Sequence, residues 1–285
     1  MSSRRRAVLA ILALTALPTA GAVPALAQSV WLPASRGPSM SLEGFKPVLN
    51  EGNRNFTPAT SAFFLSARMP VAENLTVTAE VPFAHAGLRL RAFGGSGTES
   101  SSTLGNPYVG IETASQTSPF TADLGIRLPL HKSSESNGMA ANVGLLSDID
   151  RMEAFATDLL SVGGHVGVRR HDASGLYLHA RGGPILWFNT ADDYAGNDTE
   201  LFLDYVAQAG YDLGRYAIIG GLSGRTHVTD DGGNWSDNST HHLGVGGSVA
   251  VGSVRPGIQL RVPLDSELDD VLRYVIGLNV TVQLR

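Results

Sequence analysis

Cysteine is absent from the 285-residue sequence, and this absence removes three kinds of structure. The chain cannot form disulfides, carry a thiol-linked lipid anchor or bind a metal ion through thiolates. Long apolar runs are also missing: after residue 27, no stretch offers the roughly 18 apolar residues that a transmembrane helix needs. The fold must therefore be stabilised by a packed core or by contact with lipid.

The N-terminus has the pattern of a secretory signal peptide. Three arginines lie among the first six residues, an apolar run covers 7–17, and the small-residue cleavage pattern "ALA" stands at 25–27. We expect residues 1–27 to be removed on export. Residues 28–39 are then an N-terminal periplasmic segment, and residues 40–285 form the folded domain.

Basic charge is scarce in the remaining chain. Without the three N-terminal arginines, 18 basic residues stand against 26 acidic ones, a net charge near −8. A nucleic-acid partner requires a basic footprint, so the composition excludes one. The 33 glycines favour many short strands over helices.

The stretch "TLGNPYVGIETASQTSPFTADLGIRLPL" (103–130) alternates apolar and polar residues on both sides of a short polar segment. Val109 and Ile111 share one face before that segment, and Phe120, Leu124 and neighbours share the corresponding face after it. A period of two predicts a β-hairpin with one apolar face and one charged face.

Similar segments recur along the whole chain. Twelve strands are predicted, at 40–49, 60–69, 74–83, 104–114, 119–130, 160–170, 176–188, 200–213, 215–227, 240–252, 254–264 and 272–284. Junctions from even-numbered to odd-numbered strands are short, whereas the others are longer and polar. This rhythm is typical of outer-membrane barrels and not of a soluble β-sandwich, which is the alternative. We predict an all-β fold, a transmembrane antiparallel up-and-down β-barrel of about 12 strands whose apolar face contacts outer-membrane lipid.

One segment interrupts the alternation. Between Ser147 and Leu160, the residues Ile149, Met152 and Phe155 recur at helical spacing. The spacing predicts a short helix in the third external loop, capped by Asp148 and folded over or into the mouth. An irregular start of the sixth strand is the alternative.

Strand parity directs a set of polar side chains towards the lumen. The residues that we expect to line the channel are Arg68, Glu80, Glu112, Asp123, Arg127, Arg169, Arg181, Asp204, Arg225 and Arg261, with His165, His179, Gln208 and Gln259 on the same face. Such charges are tolerable in a wetted channel or as mutual ion pairs that pack a closed barrel. Both readings stay open.

A sequence pattern repeated at three strand ends supports the first interpretation, a wetted channel. "AEVPF" (79–83), "IRLPL" (126–130) and "LRVPL" (260–264) each place a charged residue two positions before a proline. Proline belongs at a strand end or rim, so the equal offsets predict similar heights for Glu80, Arg127 and Arg261. With Arg181, these residues are candidates for a charged constriction below the outer mouth. Ordinary ion pairs at the rim are the alternative.

Catalysis and cofactor binding have weaker support. His165 and His179 lie on neighbouring predicted strands, with Ser161 or Ser223 as conceivable partners, but no nucleophile motif surrounds either serine. The acidic loops near 190–200 and 229–240 lack the spacing of calcium-binding loops. We therefore expect no catalytic residues, no metal and no cofactor.

"STLGNPYVGIE" (102–112) with "ADLGIRLPL" (122–130) resembles a family of outer-membrane transporters grouped with proteins encoded in meta-pathway phenol-degradation operons. The resemblance implies a bacterial outer-membrane barrel that passes small, often hydrophobic or aromatic, compounds. It also implies the barrel-assembly machinery as a partner during biogenesis. Arg285 departs from the aromatic residue that usually ends such barrels.

The sequence thus predicts a passive channel of the bacterial outer membrane for small-molecule solutes, with no chemistry of its own. Two alternatives stay open. One is a structural or adhesin-like barrel that acts through its external loops, and the other is a barrel hydrolase that acts on lipids.

Overall fold

The structure, a computed structural model, describes residues 31, 37–50, 56–92, 95–114, 118–132, 134, 136–191, 198–230, 235 and 237–284. The predicted signal peptide (1–27), most of the predicted periplasmic segment and Arg285 lie outside the described residues.

The described residues form thirteen strands in one antiparallel sheet. They are β1 (Ser39–Leu49), β2 (Ser61–Ala72), β3 (Leu75–Ala92), β4 (Gly95–Leu104), β5 (Tyr108–Ala114), β6 (Phe120–Arg127), β7 (Leu159–His171), β8 (Leu176–Asn189), β9 (Thr199–Asp212), β10 (Tyr216–His227), β11 (Ser239–Val249), β12 (Val254–Pro263) and β13 (Leu272–Gln283).

Twelve of these strands close into a barrel. From β5 to β13, each strand pairs with the next one in the chain. The ring is completed by the pairs β3–β5, β2–β3, β1–β2 and β1–β13. Closure satisfies the backbone groups of every barrel strand without an open edge, as a hydrocarbon environment demands. The predicted twelve-stranded, up-and-down, antiparallel barrel is confirmed. The tight turns, the start of β1 and the end of β13 all lie at one rim of the barrel, which we call the turn end. The opposite rim, with the longer connections, is called the loop end.

One predicted loop is instead a hairpin. Residues 84–103 were expected to be irregular, but β3 continues to Ala92 and pairs with β4 beyond the barrel. Pro82, expected to end the strand, lies where the partner of β3 changes from β5 to β4. Its missing N–H therefore falls beside the interruption at 105–107, where the regular ladder is already broken.

The outer face of the barrel is apolar, and the inner face is polar. Val109 and Ile111 are exposed, whereas Tyr108 before them and Glu112 after them are buried in the lumen. The same alternation runs round the barrel, with exposed outward residues that include Leu42, Leu65, Val81, Leu124, Val166, Leu178, Leu203, Leu243, Val245, Leu260, Ile276, Leu278 and Val280. A continuous exposed apolar surface of this kind is the lipid-facing band of a membrane barrel.

The segment between β6 and β7 is the irregular part of the fold. It contains the helix α1 (Gly138–Ser147) and a 3₁₀ helix (Ile149–Ala154), while the short helix α2 (Ser266–Asp269) joins β12 to β13. The short helix predicted between Ser147 and Leu160 is confirmed as the 3₁₀ helix. The longer helix α1, which ends at Ser147, was not predicted, and β7 already begins at Leu159. The described residues contain no helix of the length and apolarity needed to cross a membrane.

Leu278, 61% exposed near the middle of β13, tests the lipid assignment. Replacing Leu278 by arginine is expected to lower the free energy of unfolding in lipid bilayers by about 2–4 kcal/mol, because a charge at mid-bilayer depth is poorly solvated. Leu284→Arg at the turn end is the matched control, with an expected loss of about 0–1 kcal/mol. Urea titration in liposomes measures both, and equal losses would contradict the assignment.

Candidate functional site

The loop-end half of the lumen is filled by the segment between β6 and β7. Residues 148–154, which include the 3₁₀ helix, are called the inner plug. Its sequence "DIDRMEA" carries three carboxylates and one guanidinium, and its charged side chains reach inward residues of β1, β3, β10, β11 and β12. A loop, and not the barrel's own side chains alone, therefore closes the lumen.

Arg151 is the central contact of the inner plug and is 3% exposed. Its Nη2 atom lies 2.6 Å from Glu43 Oε2, and its Nη1 atom lies 2.5 Å from Glu80 Oε2. Its Nε donates to Asp148 Oδ2 at 2.8 Å, and the guanidinium carbon stands 3.9 Å from the centre of the Phe64 ring. Three carboxylates and an aromatic face thus replace the hydration shell of one cation.

Asp148 and Asp150 extend the contacts to the opposite wall. Asp148 Oδ1 accepts a hydrogen bond from Arg261 Nη1 at 2.6 Å. Asp150 Oδ1 accepts from Ser223 Oγ at 2.7 Å, and Asp150 Oδ2 lies 3.2 Å from His242 Nε2. The predicted role of Asp148 as a helix cap is wrong, since its side chain bonds to arginines and not to a helical N–H.

The ion pairs set the protonation of both aspartates. Burial raises the pKa of the Asp148 carboxyl, but the charges of Arg261 and Arg151 outweigh burial and hold this pKa below its ordinary value. Desolvation also raises the pKa of Asp150, and the charge of His242 leads the opposing effects, which hold that pKa well below its ordinary value. Both side chains are therefore anionic at neutral pH.

Glu153 connects the inner plug to β9 and β10. Its Oε1 atom lies 2.5 Å from Arg225 Nη2, and Arg225 Nε donates to Asp204 Oδ1 at 2.6 Å. Burial raises the pKa of Glu153, and the charge of Arg225 offsets only part of this rise. Arg225 thus holds one carboxylate of the barrel wall and one acidic group of the inner plug together.

The C-terminal end of the inner plug is anchored at the break between β4 and β5. Asn106, fully buried, donates from Nδ2 to the carbonyls of Glu153 at 2.9 Å and Ala156 at 2.7 Å, and its backbone N–H donates to the Ala154 carbonyl. A Cβ at Gly105 would collide with the Ala154 carbonyl oxygen, so this close approach requires glycine.

An apolar layer covers the charged contacts at the loop end. Phe155 lies edge-on to Phe64, with 5.7 Å between ring centres. The cluster around them joins α1 to the inward faces of the first strands and β13 through Phe45, Ala62, Ala84, Ala86, Ala140, Val143, Ala154, Leu272 and Val275. The inner face is therefore apolar near the mouth and charged below it.

Trp31, from the predicted periplasmic segment, is fully buried inside the barrel. Its Nε1 donates to Asp150 Oδ2 at 3.0 Å, and its ring centre lies 5.9 Å from that of His242. Gly244 on β11 provides the space, because a Cβ there would contact the indole ring. This residue therefore lies against the inner plug.

All ten predicted lining residues except Arg169 are buried on the inner face, and Arg169 is partly exposed. Glu80 pairs with Arg127 at 2.6 Å as the common height suggested, while Arg261 binds Asp148 of the inner plug instead. Nearer the turn end are the pair Arg68–Glu112 at 2.5 Å, the pair Asp123–His165 at 2.8 Å, and Arg181. The proposed constriction residues thus surround the inner plug, apart from Arg181.

The sequence reading missed the residues that close the lumen. Glu43, Arg151, Glu153 and Asn106 were not singled out, although "GNP" at 105–107 formed part of the motif on which the family resemblance rests. Arg151 and Glu153 lie in a predicted loop, where strand parity gives no direction for a side chain. Their charge density within "DIDRME" was the available signal.

The Ser223, His242 and Asp150 side chains form a compact cluster that resembles a hydrolase triad in composition only. Ser223 Oγ lies 2.7 Å from His242 Nε2, but Asp150 approaches the same nitrogen, and Nδ1 of His242 has no hydrogen-bond partner among the described residues. A relay needs the carboxylate at Nδ1, opposite the serine. Among the described residues, no three histidine or acidic side chains converge to hold a metal ion.

Asn106 gives a test of the anchor. Asn106→Ala removes two buried donors and leaves two carbonyls unsatisfied, so we expect a loss of about 1–3 kcal/mol in the free energy of unfolding. We also expect faster amide hydrogen exchange at 153–156. Asn137→Ala is the control, because this half-buried asparagine of the same loop also bonds two backbone groups, but at exposed positions. It should change stability by less than about 0.5 kcal/mol. Equal exchange rates in the two variants would argue against the anchor.

No known protein-family model matches this sequence, and no curated protein matches it significantly. Among solved structures, the fold is similar to the COG4313 outer membrane channel from Pseudomonas putida F1, at 10% identity and a TM-score of 0.60, over 90% of this chain and 98% of that one. It is also similar to the NanC porin, at 9% identity and a TM-score of 0.52, over 86% and 100% of the two chains. LpxR from Salmonella typhimurium matches at 10% identity and a TM-score of 0.48, over 86% and 100%. The chain therefore has the fold of outer-membrane β-barrels that include channels and porins.

Proposed function

We propose that this protein is a passive channel of the bacterial outer membrane whose lumen is closed by the inner plug. The loop end faces outward and the turn end faces the periplasm, the usual orientation of such barrels. One observation supports the proposal most directly: a loop fills the wide part of the lumen, and each of its charged side chains pairs with an inward residue of the barrel. A barrel with a purely structural role could be filled by its own inward side chains and would not need a loop in its lumen.

The contacts of the inner plug suit reversible closure. The inner plug contacts the barrel largely through buried ion pairs. The attraction between the two charges of each pair is offset by the free-energy cost of removing them from water. Withdrawal of the segment rehydrates Arg151, Asp148 and Glu153 and wets the inward charges of the wall. The net free energy of docking is therefore much smaller than the number of contacts suggests.

The wall around the withdrawn plug would form the constriction. Glu80 with Arg127 on one side and Arg261 on the other would then face water at one height, as the repeated strand ends predict. The rings of Phe45 and Phe64 border these charges on the inner face, and the Arg261 guanidinium carbon lies 4.5 Å from the centre of the Phe45 ring. Guanidinium groups beside aromatic faces suit small hydrophobic or aromatic solutes, the class that the family resemblance implies.

Arg151→Ala tests the closure. Loss of this guanidinium leaves Glu43 and Glu80 without their plug partner, a change worth about 3–5 kcal/mol for a buried pair. The ratio of closed to open channels should therefore fall by about two to four orders of magnitude. Single-channel conductance in planar bilayers and liposome swelling with sugars and phenolic acids measure the effect.

Lys132→Ala is the matched control for Arg151→Ala. Lys132 lies in the same loop and pairs with Asp158 at 2.7 Å, but its side chain is 60% exposed, so its pair contributes little. Heat-modifiable migration on a gel confirms that each variant is folded. Folded Arg151→Ala that conducts no more than Lys132→Ala would contradict the proposal.

A second candidate function is adhesion through the loop end. The β3–β4 hairpin extends beyond the barrel, and within the described residues β4 pairs only with β3, so its other edge is unpaired. Such an edge can accept an added strand from a partner. Replacement of 93–98 by a two-residue turn should abolish surface binding by whole cells if this function holds, and should leave conductance unchanged.

A further inference from the structure

The lumen between the inner plug and the turn end contains arginines without a close carboxylate. Four other arginines of the wall are each paired within 2.6 Å: Arg68 with Glu112, Arg127 with Glu80, Arg225 with Asp204, and Arg261 with Asp148. Arg181, with a side chain 6% exposed, reaches only Asp123 Oδ2 at 3.9 Å, which is too long for a hydrogen bond. Arg169 has no ion pair with a described carboxylate. Arg255 at the turn end is also 3.8 Å from its nearest carboxylate, Asp212, but it donates to Ser248 Oγ at 3.2 Å and to the Gly214 carbonyl. Arg169 and Arg181 differ from all of these arginines because neither makes a side-chain hydrogen bond to a described residue.

Two further polar groups with free hydrogen-bonding capacity lie beside them. His179 Nδ1 and Gln208 Oε1 are 3.2 Å apart, and the Nε2 atoms of both residues lack hydrogen-bond partners among the described residues. Both side chains are at least nine-tenths buried. Because His179 Nδ1 donates to the Gln208 carbonyl oxygen, Nε2 of the neutral ring is an unpaired acceptor, whereas Gln208 Nε2 is an unpaired donor. Buried polar atoms without a partner cost free energy, so such atoms in one place point to a ligand or to ordered water.

The strand register brings these four residues together. Arg169 on β7 stands opposite His179 on β8, and His179 stands opposite Gln208 on β9, so the three form one row across the wall. Arg181 lies two residues from His179 on the same face of β8. The spacing within one row is about 5 Å, close enough for a single small molecule to contact neighbours.

We propose that Arg169, Arg181 and Gln208 form a binding site for the carboxylate group of a small organic anion, and that His179 positions the Gln208 amide by donating to its carbonyl oxygen. The guanidinium forks supply paired N–H donors that match a carboxylate, and the Gln208 amide supplies another donor. The site lies on the route between the inner plug and the periplasm. In naming the solute class, the inference rests on the proposed channel function, but binding at the site does not require conduction.

Charge balance selects a singly charged anion. The two guanidiniums carry two positive charges. Asp123, which holds His165 at 2.8 Å, is one negative charge nearby on the same wall, and Asp212 at the end of β9 is a second, which Arg255 offsets at 3.8 Å. The excess is about one positive charge, which a carboxylate neutralises and a phosphate dianion exceeds. The N-terminal segment 28–38 contains no acidic residue, so it cannot supply the missing anion.

The experiment measures binding of benzoate, acetate and inorganic phosphate to the detergent-solubilised barrel by titration calorimetry at low salt. Benzoate and acetate are expected to bind, and Arg181→Gln or Arg169→Gln is expected to weaken each by about tenfold or more, the usual effect of removing a charge-assisted hydrogen bond. Arg170→Gln is the matched control: it removes the same charge from the adjacent, exposed position on the outer face of β7 and should leave binding unchanged.

Each outcome decides the inference. Carboxylate binding that depends on Arg181 and Arg169 and not on Arg170 supports it, with heat-modifiable migration showing that the variants are folded. Absence of binding to the wild-type protein, or equal weakening in all three variants, overturns it. Tighter binding of phosphate than of acetate overturns the carboxylate assignment. Because the titration does not use conductance, a protein that binds benzoate but does not conduct would contradict the channel function alone.

Discussion

The desolvated guanidinium of Arg151 is the contact on which the closed state depends. It lies in the lumen against Glu43, Glu80 and Asp148 and over the ring of Phe64, so that one side chain joins β1, β2 and β3 to the inner plug. Without this guanidinium, the carboxylates of Glu43, Glu80 and Asp148 would face one another in a space with little water. The other plug contacts, Asp148 with Arg261 and Glu153 with Arg225, place the same segment against the opposite wall.

The barrel makes these contacts possible because its two faces are solvated differently. Hydrocarbon on the outside accepts only apolar side chains, and period-two alternation then sends every second residue inward. The inward set combines charge with glycines such as Gly244 and Gly105, which admit Trp31 and the plug backbone. The wall and its filler are therefore complementary in charge near the plug, and the wall carries an excess of positive charge only nearer the turn end.

The features that follow from the alternation of apolar and polar residues could be predicted from the sequence. The features that depend on contacts between distant parts of the chain could not. The twelve barrel strands, the lipid face and the inward direction of residues such as Glu80 and Arg127 are consequences of a strict period of two. The helical spacing at Ile149, Met152 and Phe155 indicated the irregular segment, but not that its first α-helix ends at Ser147 or that Arg151 would pair with Glu43, 108 residues away. Pairings of that sequence separation depend on how a loop folds into the barrel, which local periodicity does not encode. The continuation of β3 past Pro82 was missed because the sequence does not show that the neighbouring strand is interrupted there.

The most direct measurement uses the absence of native cysteine. In the Arg151→Ala variant, which the account predicts to be open, cysteines in place of Asp150 and Ser223, whose side-chain oxygens lie 2.7 Å apart, offer one candidate disulfide between the inner plug and β10. Conductance of this triple variant in planar bilayers is then followed through cycles of oxidation and reduction. The account predicts a channel that is closed when oxidised and conducts when reduced, reversibly in the same membrane. Equal conductance in both redox states, with the disulfide shown to be formed, would contradict the claim that the inner plug closes the lumen.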